Sequence, residues 1–229
     1  MFVDFDGTIA LEDTTDVILE RFALPAWRVI EADWVAGLIG SRECLARQVD
    51  LLRARPDELD DVAREIPLDP HFLDFSALCR INAIPLTVVS DGFGQVIAAM
   101  LAGAGADVPV LANCLAWLGE DRWRLDFPHA TDLCRSAAGH CKCRALDREP
   151  GTLRILVGDG RSDFCAAESA DLVFAKGALA EHCQGNGLAY QVFGNFAGAI
   201  TLLTEWIGAL ADAREAPKRG EPLHASPSA

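Results

Sequence analysis

The chain begins with the stretch Met1-Phe2-Val3-Asp4-Phe5-Asp6-Gly7-Thr8, in which two carboxylates two residues apart follow an apolar run. In an extended strand residues i and i+2 point to the same side, so Asp4 and Asp6 can converge where the strand ends. Gly7 then lets the chain turn away. Two like charges so close are costly unless a cation or a shared proton offsets them. The pair favours metal-assisted chemistry with one carboxylate as nucleophile and the other as acid/base. The alternative is an acidic turn after a short strand.

The composition is that of a globular protein with a strong negative charge. The 229 residues, 51% hydrophobic and 24% charged, suffice for one sizeable core or for a core with a small inserted domain. The net charge of −14 argues against nucleic acid or an anionic membrane as a partner. No apolar run reaches the roughly 18 residues of a membrane-spanning helix. The eight cysteines lack framework spacing and no signal peptide precedes them, which predicts reduced thiols and a cytoplasmic location. The oligomeric state is not indicated.

Four apolar, β-branched runs predict the strands of a parallel sheet, at residues 2–5, 85–89, 153–157 and 172–174. None of them alternates, as is typical of strands buried on both faces. Polar clusters end three of the runs: Asp4 with Asp6, Ser90-Asp91-Gly92, and Gly158-Asp159-Gly160. Ligands of open α/β sheets bind outside the carboxyl ends of the strands. We therefore expect these clusters to meet at one edge of the sheet.

Residues 11–67 differ from the rest because helical spacing dominates there and strand signals are few. We expect Pro25 in the first turn of one helix, Ser41 as the N-cap of another and Asp57 as the cap of a third. A helical insert directly after the first strand would form a lid over the carboxylates. The predicted domains are a core of residues 1–10 and 68–212 and a helical cap of residues 11–67.

Residues 93–101 predict a helix after the second strand, and residues 111–118 and 122–127 predict a hairpin around residues 119–121. We expect Trp117 and Trp123 in this hairpin to be packing residues, with stacking on a ligand as the alternative. Residues 213–229 contain three prolines and no periodicity, which predicts a disordered tail.

Four polar clusters in chain order carry the functional signal: Asp4-x-Asp6-Gly7-Thr8, Ser90-Asp91-Gly92, Lys142, and Gly158-Asp159-Gly160-Arg161-Ser162-Asp163. In content and order they resemble the four motifs of the haloacid dehalogenase (HAD) superfamily of phosphotransferases, over about residues 1–205. The resemblance implies an α/β fold with a Rossmann-like core, in which helices flank a parallel sheet. It also implies the small helical C1 cap of subfamily IB, inserted after the first strand.

The resemblance implies a role for each carboxylate. Asp4 matches the nucleophile that becomes an aspartyl-phosphate, and Asp6 matches the general acid/base. The implied cofactor is Mg²⁺, a hard cation that prefers oxygen ligands. Its implied ligands are the Asp4 carboxylate, the Asp6 backbone carbonyl and Asp159, with support from Asp163.

The resemblance also implies a phosphate-binding set. Ser90 matches the hydroxyl that holds a phosphoryl oxygen, and Asp91 and Gly92 complete that cluster. Lys142 matches the cation that clamps the phosphate and the nucleophile. Taken alone, Ser90 would equally well cap the helix near Phe93, and Lys142 would be a solvated surface lysine.

Together these residues predict a Mg²⁺-dependent phosphatase that hydrolyses a small phosphorylated metabolite. One alternative is a phosphoserine phosphatase or a phosphotransferase of the same superfamily, and another is a phosphometabolite-binding module without turnover. The spaced acids and distal glutamate of an EF-hand are absent from the sequence, as is the Gly-x-x-x-x-Gly-Lys of a P-loop.

The helical insert resembles the cap of the phosphoserine phosphatase-like branch. Asp13 falls where those enzymes carry a glutamate that faces the substrate amine. Gln48 occupies the position of their carboxylate-binding arginine, with Arg47 one place away. A glutamine cannot replace the charged fork of an arginine, and one residue is a rotation of about 100° on a helix. Asp13 and Arg47 are therefore tentative substrate contacts, and phosphoserine is a disfavoured substrate.

A second resemblance is to phosphatases of methionine salvage that act on an enol phosphate. It is carried by Phe127-Pro128-His129, Cys134 and Cys141-Lys142-Cys143, followed by the Gly-Asp-x-x-x-Asp cluster and Leu172-Val173-Phe174-Ala175. The same segment offers an alternative zinc site, for which the candidate ligands are His129, Cys134, His140, Cys141 and Cys143. Their spacing lacks the usual Cys-x₂₋₄-Cys pair, which favours buried or loop thiols instead.

Overall fold

The computed structural model describes residues 1–146 and 153–215, and a seven-stranded sheet forms its centre. The strands are β1 (Phe2–Val3), β2 (Thr87–Phe93), β3 (Val110–Gly119), β4 (Arg122–Asp126), β5 (Ile155–Gly158), β6 (Leu172–Ala175) and β7 (Tyr190–Val192). Their order is β4-β3-β2-β1-β5-β6-β7. Every neighbouring pair is parallel except β3 and β4, which form the predicted antiparallel hairpin.

Ten helices accompany the sheet in the described residues. They are α1 (Thr14–Phe22), α2 (Trp27–Val35), α3 (Ser41–Val49), α4 (Pro56–Glu65), α5 (Phe72–Ile81), α6 (Gly94–Gly103), α7 (Lys142–Leu146), α8 (Phe164–Ala167), α9 (Gly177–Asn186) and α10 (Phe196–Glu215). A 3₁₀ turn covers Arg161–Asp163. The predicted α/β fold, a mostly parallel sheet with flanking helices, is confirmed.

The first strand lies in the middle of the sheet, between β2 and β5, and its side chains are buried. It is shorter than the expected residues 2–5, because the backbone turns directly after Asp4. The carbonyl of Phe5 accepts hydrogen bonds from the backbone N–H groups of Thr8, Ile9 and Ala10. Asp4 and Asp6 are thus set at the carboxyl end of a central strand rather than along it.

Helices α1–α4 form the insert predicted from the sequence. The chain leaves and re-enters the core at one place, where Ala10 and Leu68 form an antiparallel bridge and the N–H of Leu11 donates to the carbonyl of Pro67. The β3–β4 hairpin supports the insert from the side, since the indole N–H of Trp123 donates to the carbonyl of Ala54 over 2.7 Å. The packing role expected for Trp123 is confirmed.

Several local expectations were wrong. Trp117 is 55% exposed, because it lies on the outer face of the hairpin.

The starts of three helices also differ from expectation. Pro25 precedes α2 rather than entering its first turn, and Gly40 rather than Ser41 is the N-cap of α3. Arg55 is the N-cap of α4, because Pro56 takes the first helical position, where its missing N–H costs nothing; Asp57 therefore lies inside the first turn.

Residues 213–215 of the expected tail belong to α10, which continues to Glu215; the rest of that expectation, residues 216–229, lies outside the described part. Strand β7 was not anticipated, since Tyr190–Val192 is too short to give a periodic signal.

A disulfide joins Cys143 and Cys165, which contradicts the expectation that all thiols are reduced. It ties α7 to α8, and the sequence separation of 22 residues gave no hint of this pairing. In the described residues, no helix combines the length and apolar character needed to cross a membrane.

Candidate active site

Lys142 is the centre of the buried charges at the carboxyl edge of the sheet. Its ammonium group donates to Asp4 Oδ1 over 2.6 Å, to Asp163 Oδ1 over 2.7 Å and to Ser162 Oγ over 3.0 Å. Lys142 is 3% exposed and Asp163 is fully buried. The alternative of a solvated surface lysine is therefore wrong: α7 delivers this side chain into the interior.

The electrostatics of the cluster follow from burial. Burial raises the pKa of Asp4 well above its usual value, the charge of Asp163 adds to this, and Lys142 opposes it. Burial lowers the pKa of Lys142, but Asp163 and Asp4 more than compensate, so its pKa is raised overall. Lys142 thus stays charged, and its single positive charge is shared between two carboxylates.

Asp6 lies beside Asp4 but has different partners. Its Oδ1 accepts from the backbone N–H of Thr14 over 2.8 Å and from the Thr14 hydroxyl over 2.5 Å. Its Oδ2 accepts from Ser90 Oγ over 3.3 Å. Burial raises the pKa of Asp6, while the hydrogen bonds from Thr14 and Ser90 hold it down in part. A raised pKa favours the protonated form of the carboxyl group, which is the form that a general acid needs.

Three carboxylates converge where the resemblance implies a metal. One oxygen from each of Asp4, Asp159 and Asp163 lies within 4.8 Å of the others. Three negative charges against the one ammonium of Lys142 leave a deficit that a divalent cation would offset, and an all-oxygen donor set suits Mg²⁺. The residues present therefore fit the implied metal.

Gly7 permits this convergence. Its φ of +67° is in the left-handed region, and a Cβ there would lie 2.5 Å from Asp159 Oδ2. The Thr8 hydroxyl donates to Asp159 Oδ1 over 3.0 Å and so fixes this carboxylate from the first strand's turn. A side chain at position 7 would close the space beside the carboxylates.

Ser90 and Gly92 lie in the carboxyl-terminal part of β2, beside the carboxylates. Ser90 is fully buried and its Oγ accepts from the N–H of Gly92 over 2.9 Å. A Cβ at Gly92 would lie 2.8 Å from Asp6 Oδ2, so only glycine fits. Ser90 does not cap α6, whose N-cap is Phe93. The geometry leaves the Ser90 hydroxyl beside Asp6, where a phosphoryl oxygen can reach it.

The side chain of Asp91 already has several hydrogen-bond partners, and the phosphate-binding role expected for this residue stays a prediction. Its Oδ1 accepts from the N–H of His140 over 2.7 Å and from the Asn113 side chain over 3.0 Å, and its Oδ2 accepts from the Ser41 hydroxyl. A carboxylate repels phosphate, and these donors already occupy this one. The side chain of Asp91 joins β2 and β3 to the start of α3 in the cap.

A cavity of about 260 Å³ opens above the carboxylates, between core and cap. Its core half comprises Asp4, Asp6, Gly7, Ser90, Asp91, Gly92, Asp159, Gly160, Arg161 and Ser162. Its cap half comprises Asp13, Thr15, Asp16, Glu31, Trp34, Ser41, Cys44, Leu45 and Gln48. A cavity of this volume fits a small metabolite rather than a polymer.

The two tentative cap residues end up in different places. Asp13 lies at the mouth of the cavity as the N-cap of α1 and accepts from the N–H of Asp16 over 2.9 Å. Arg47 is exposed on the outer face of α3, where it pairs with Glu43, and the structure does not bring it to the cavity. The buried Gln48 faces the cavity instead, as the rotation of one residue on a helix requires.

The structure does not assemble the alternative zinc site. Of the described residues, only Asp4, Asp159 and Asp163 bring three metal-ligand atoms together, and Cys143 is in the disulfide. The rings of His129 and His140 meet edge to face with centroids 4.8 Å apart. Burial lowers the pKa of His140 to about 3, so this ring is neutral and packs as an apolar side chain.

Sequence reasoning did not identify several partners of the site. Thr14 holds Asp6 from eight residues away, and Thr8 holds Asp159 across the sheet edge. Glu31 accepts from the side chain of Gln48 over 2.9 Å, which sets the orientation of that glutamine. Nothing in the residue pattern marks these threonines or this glutamate, because their roles depend on which way a turn or a helix faces.

Comparison with known proteins relates this arrangement to one family. A family model described as haloacid dehalogenase-like hydrolase matches residues 1–168. A 2-hydroxy-3-keto-5-methylthiopentenyl-1-phosphate phosphatase of Brevibacillus brevis is 32% identical over 211 residues, which cover 90% of this chain and 95% of the relative. The phosphatase of the same name from Geobacillus kaustophilus is 31% identical over 208 residues, which cover 89% and 94%.

Solved structures share the fold. A phospho-aspartyl intermediate analogue of phosphoserine phosphatase superposes with a TM-score of 0.65 at 19% identity, over 88% of this chain and 96% of that one. A substrate-bound phosphoserine phosphatase complex gives a TM-score of 0.61 at 20% identity, over 79% and 88%. At these identities the likeness concerns the fold alone.

Proposed function

The chain belongs to the haloacid dehalogenase-like hydrolase family, as a phosphoric monoester hydrolase, and we propose that it dephosphorylates a small metabolite through an aspartyl-phosphate on Asp4. The observation that carries the mechanism is the buried pair of Asp4 and Lys142 beside a second carboxyl group with a raised pKa. Phosphoryl transfer needs a positioned nucleophile and stabilised charge more than elaborate covalent chemistry.

Each residue has a distinct task in this mechanism. Lys142 and the N–H of Phe5 hold Asp4 Oδ1, which leaves Oδ2 to attack phosphorus. The proton on Asp6 passes to the leaving oxygen as the P–O bond breaks. Asp6 then takes a proton from the water that attacks phospho-Asp4, which releases phosphate and restores the carboxylate of Asp4 and the protonated form of Asp6.

The proposed cofactor is Mg²⁺. Asp4, Asp159, Asp163 and the backbone carbonyl of Asp6 would hold it. When bound, it supplies positive charge against the phosphoryl oxygens. We expect EDTA-treated protein to release no phosphate and Mg²⁺ to restore the activity. Full activity after exhaustive chelation would contradict a metal requirement.

The proposed substrate is the methionine-salvage enol phosphate, as in the relatives with that name, which match this chain over nearly their whole length. The cap half of the cavity offers Trp34 and Leu45 as apolar surface for a methylthio group. Phosphoserine is less favoured, because Gln48 lines the cavity where a carboxylate would need a cation. The proposed location is the cytoplasm.

The test is phosphate release from the enol phosphate, phosphoserine and pyridoxal phosphate in the presence of Mg²⁺. Replacing the nucleophile, Asp4→Asn, is expected to lower kcat/KM by roughly 10⁴-fold or more. Asp74→Asn is the matched control, because Asp74 is an exposed aspartate outside the cavity. Equal activity of Asp4→Asn and the native protein would refute the mechanism.

Two further measurements separate this function from its alternatives. A beryllofluoride adduct or trapped phosphate at Asp4 is expected of a phosphatase and not of a binding module without turnover. Addition of acceptor alcohols is expected to leave free phosphate as the product. A phosphorylated alcohol as the main product would identify a phosphotransferase instead.

A further inference from the structure

The charge in the cap half of the cavity has no role in the proposed mechanism. Asp13, Asp16 and Glu31 all line it, and the cap contributes no cationic side chain to the described lining. Among the described residues that line the cavity, Arg161 of the core is the one cation. Its guanidinium lies 5.6 Å from the ring centroid of Trp34 and donates to the carbonyl of Val35 over 3.1 Å. Arg161 is thus bound to the surface of α2.

The cap carboxylates interact electrostatically: the charge of Asp16 acts on Asp13, and the charge of Glu31 acts on Asp16. Burial raises the pKa of Asp16, and the charges of Glu31 and Asp6 add to this. Burial and the charges of Asp6 and Asp16 raise the pKa of Asp13 to about 8. A further negative charge placed among these groups would be repelled by each carboxylate that is ionised, and only weakly by Asp13 while that group holds its proton. Hydrogen-bond donors or a positive charge would be attracted.

Gln48 and Glu31 form the fixed part of this wall. Gln48 is 1% exposed and its Nε2 donates to Glu31 Oε2 over 2.9 Å. The glutamine therefore uses a donor to orient the glutamate and contributes no charge of its own. A leaving group in the cavity meets a carboxylate held in place at its far wall.

We propose that the cap half of the cavity selects phosphate monoesters whose leaving group has hydroxyl or amine donors and no carboxylate, with Glu31 as the specificity-determining residue. This inference rests on the proposed function for the position of the phosphate, and it adds the chemical class of the leaving group. Phosphoserine belongs to the excluded class. The enol phosphate, with a hydroxyl, a ketone and a thioether, belongs to the accepted one.

The test is a pair of ligands that differ by one carboxylate, phosphoserine and phosphoethanolamine. Their binding is measured by calorimetry with Mg²⁺ on Asp4→Asn, so that hydrolysis does not interfere and activity is not needed. We expect phosphoserine to bind at least about tenfold more weakly, because its extra charge faces the carboxylate of Glu31 with no cation from the cap to offset it. Equal dissociation constants, or no binding of either ligand, would overturn the proposal.

A second variant tests the role of Glu31. Asp4→Asn/Glu31→Gln keeps the shape of the side chain and an acceptor for Gln48, and it is expected to reduce the ratio of the two dissociation constants at least threefold. Asp4→Asn/Glu20→Gln is the control, because Glu20 pairs with Arg28 on the surface. An unchanged ratio in the Glu31 variant would reject that residue as the determinant. Failure of the proposed function would show itself separately, as native protein that releases no phosphate.

Discussion

The core half and the cap half of the cavity differ in whether a cation offsets the negative charge of their carboxylates. In the core half, buried carboxylates are paired with Lys142, and three of them converge as a divalent cation requires. In the cap half, Asp13, Asp16 and Glu31 have no cationic partner from the cap itself. The difference is consistent with the proposals made above, in which the core half holds the phosphate and a metal and the cap half selects the leaving group.

The largest effect is expected from Lys142→Met, which removes the positive charge that offsets the buried carboxylates of the core half. Asp4 and Asp163 would remain buried with no cation between them. Breaking a buried pair from one side typically costs about 3–5 kcal/mol. Chemical denaturation of the metal-free protein measures this loss, and saturating Mg²⁺ should recover part of it. A stability unchanged within error would mean that Lys142 contributes nothing to the balance of charge.

Asp6→Asn is expected to affect catalysis while the core half stays folded. The amide oxygen can still accept from Thr14, but the side chain has no proton to transfer. General acid/base catalysis typically contributes roughly 10²–10⁴-fold, so kcat should fall by that amount. Because hydrolysis of phospho-Asp4 also needs the base, the phosphorylated protein should accumulate, which mass spectrometry of the intact chain detects. A kcat near that of the native protein would assign the proton transfer to another group.

Ser41→Ala tests the contact between the two halves. The Ser41 hydroxyl donates to Asp91, which also holds His140 and Asn113. Loss of a hydrogen bond to a charged acceptor should cost about 1–2 kcal/mol of stability and raise KM more than it lowers kcat. Thr201→Ala, on the exposed side of α10, serves as the control. A KM equal to that of the native protein would mean that this contact does not position the cap.

Asp13→Asn is expected to give the smallest effect, because Asp13 is exposed and solvent screens its charge, but that effect should have a diagnostic pH dependence. The pKa of Asp13 is raised to about 8 in the folded chain, against about 3.9 in an unfolded one. A raised folded pKa means that the native protein loses stability as pH rises from about 4 toward 8, because the proton is held more tightly in the folded state. The variant can still cap α1 and should escape this loss, so the two proteins should match at pH 4 and diverge by pH 8. Parallel curves of unfolding free energy against pH for the two proteins would contradict the prediction that Asp13 causes this loss of stability.

The core half was largely predictable from the sequence, and the cap half was not. Asp4 and Asp159 follow strands and Ser90 lies in one, each after an apolar run that the sequence shows, and parallel strands bring their carboxyl ends to one edge. In the cap, a side chain's destination depends on helix rotation. Arg47 and Gln48 differ by one position, yet one is exposed and the other buried.

Contacts between distant segments were also beyond the sequence. The carboxylate of Asp91 looked like part of a phosphate loop, and only the fold shows that Ser41, Asn113 and His140 occupy it. The disulfide of Cys143 and Cys165 depends on the meeting of α7 and α8, which no local pattern encodes. Residues in turns and on helix faces acquire partners only through tertiary packing.

The chain leaves the core for the cap and returns from it at one place, and this arrangement bears on how such proteins diversify. Ala10 and Leu68 lie side by side, and the N–H of Leu11 bonds to the carbonyl of Pro67 over 3.0 Å. Segments whose two ends adjoin can be inserted or replaced without rerouting the host chain. The cap is therefore a replaceable segment. Recombination between its two adjoining ends would exchange the residues that line the cap half of the cavity and leave Asp4 and Lys142 of the core in place.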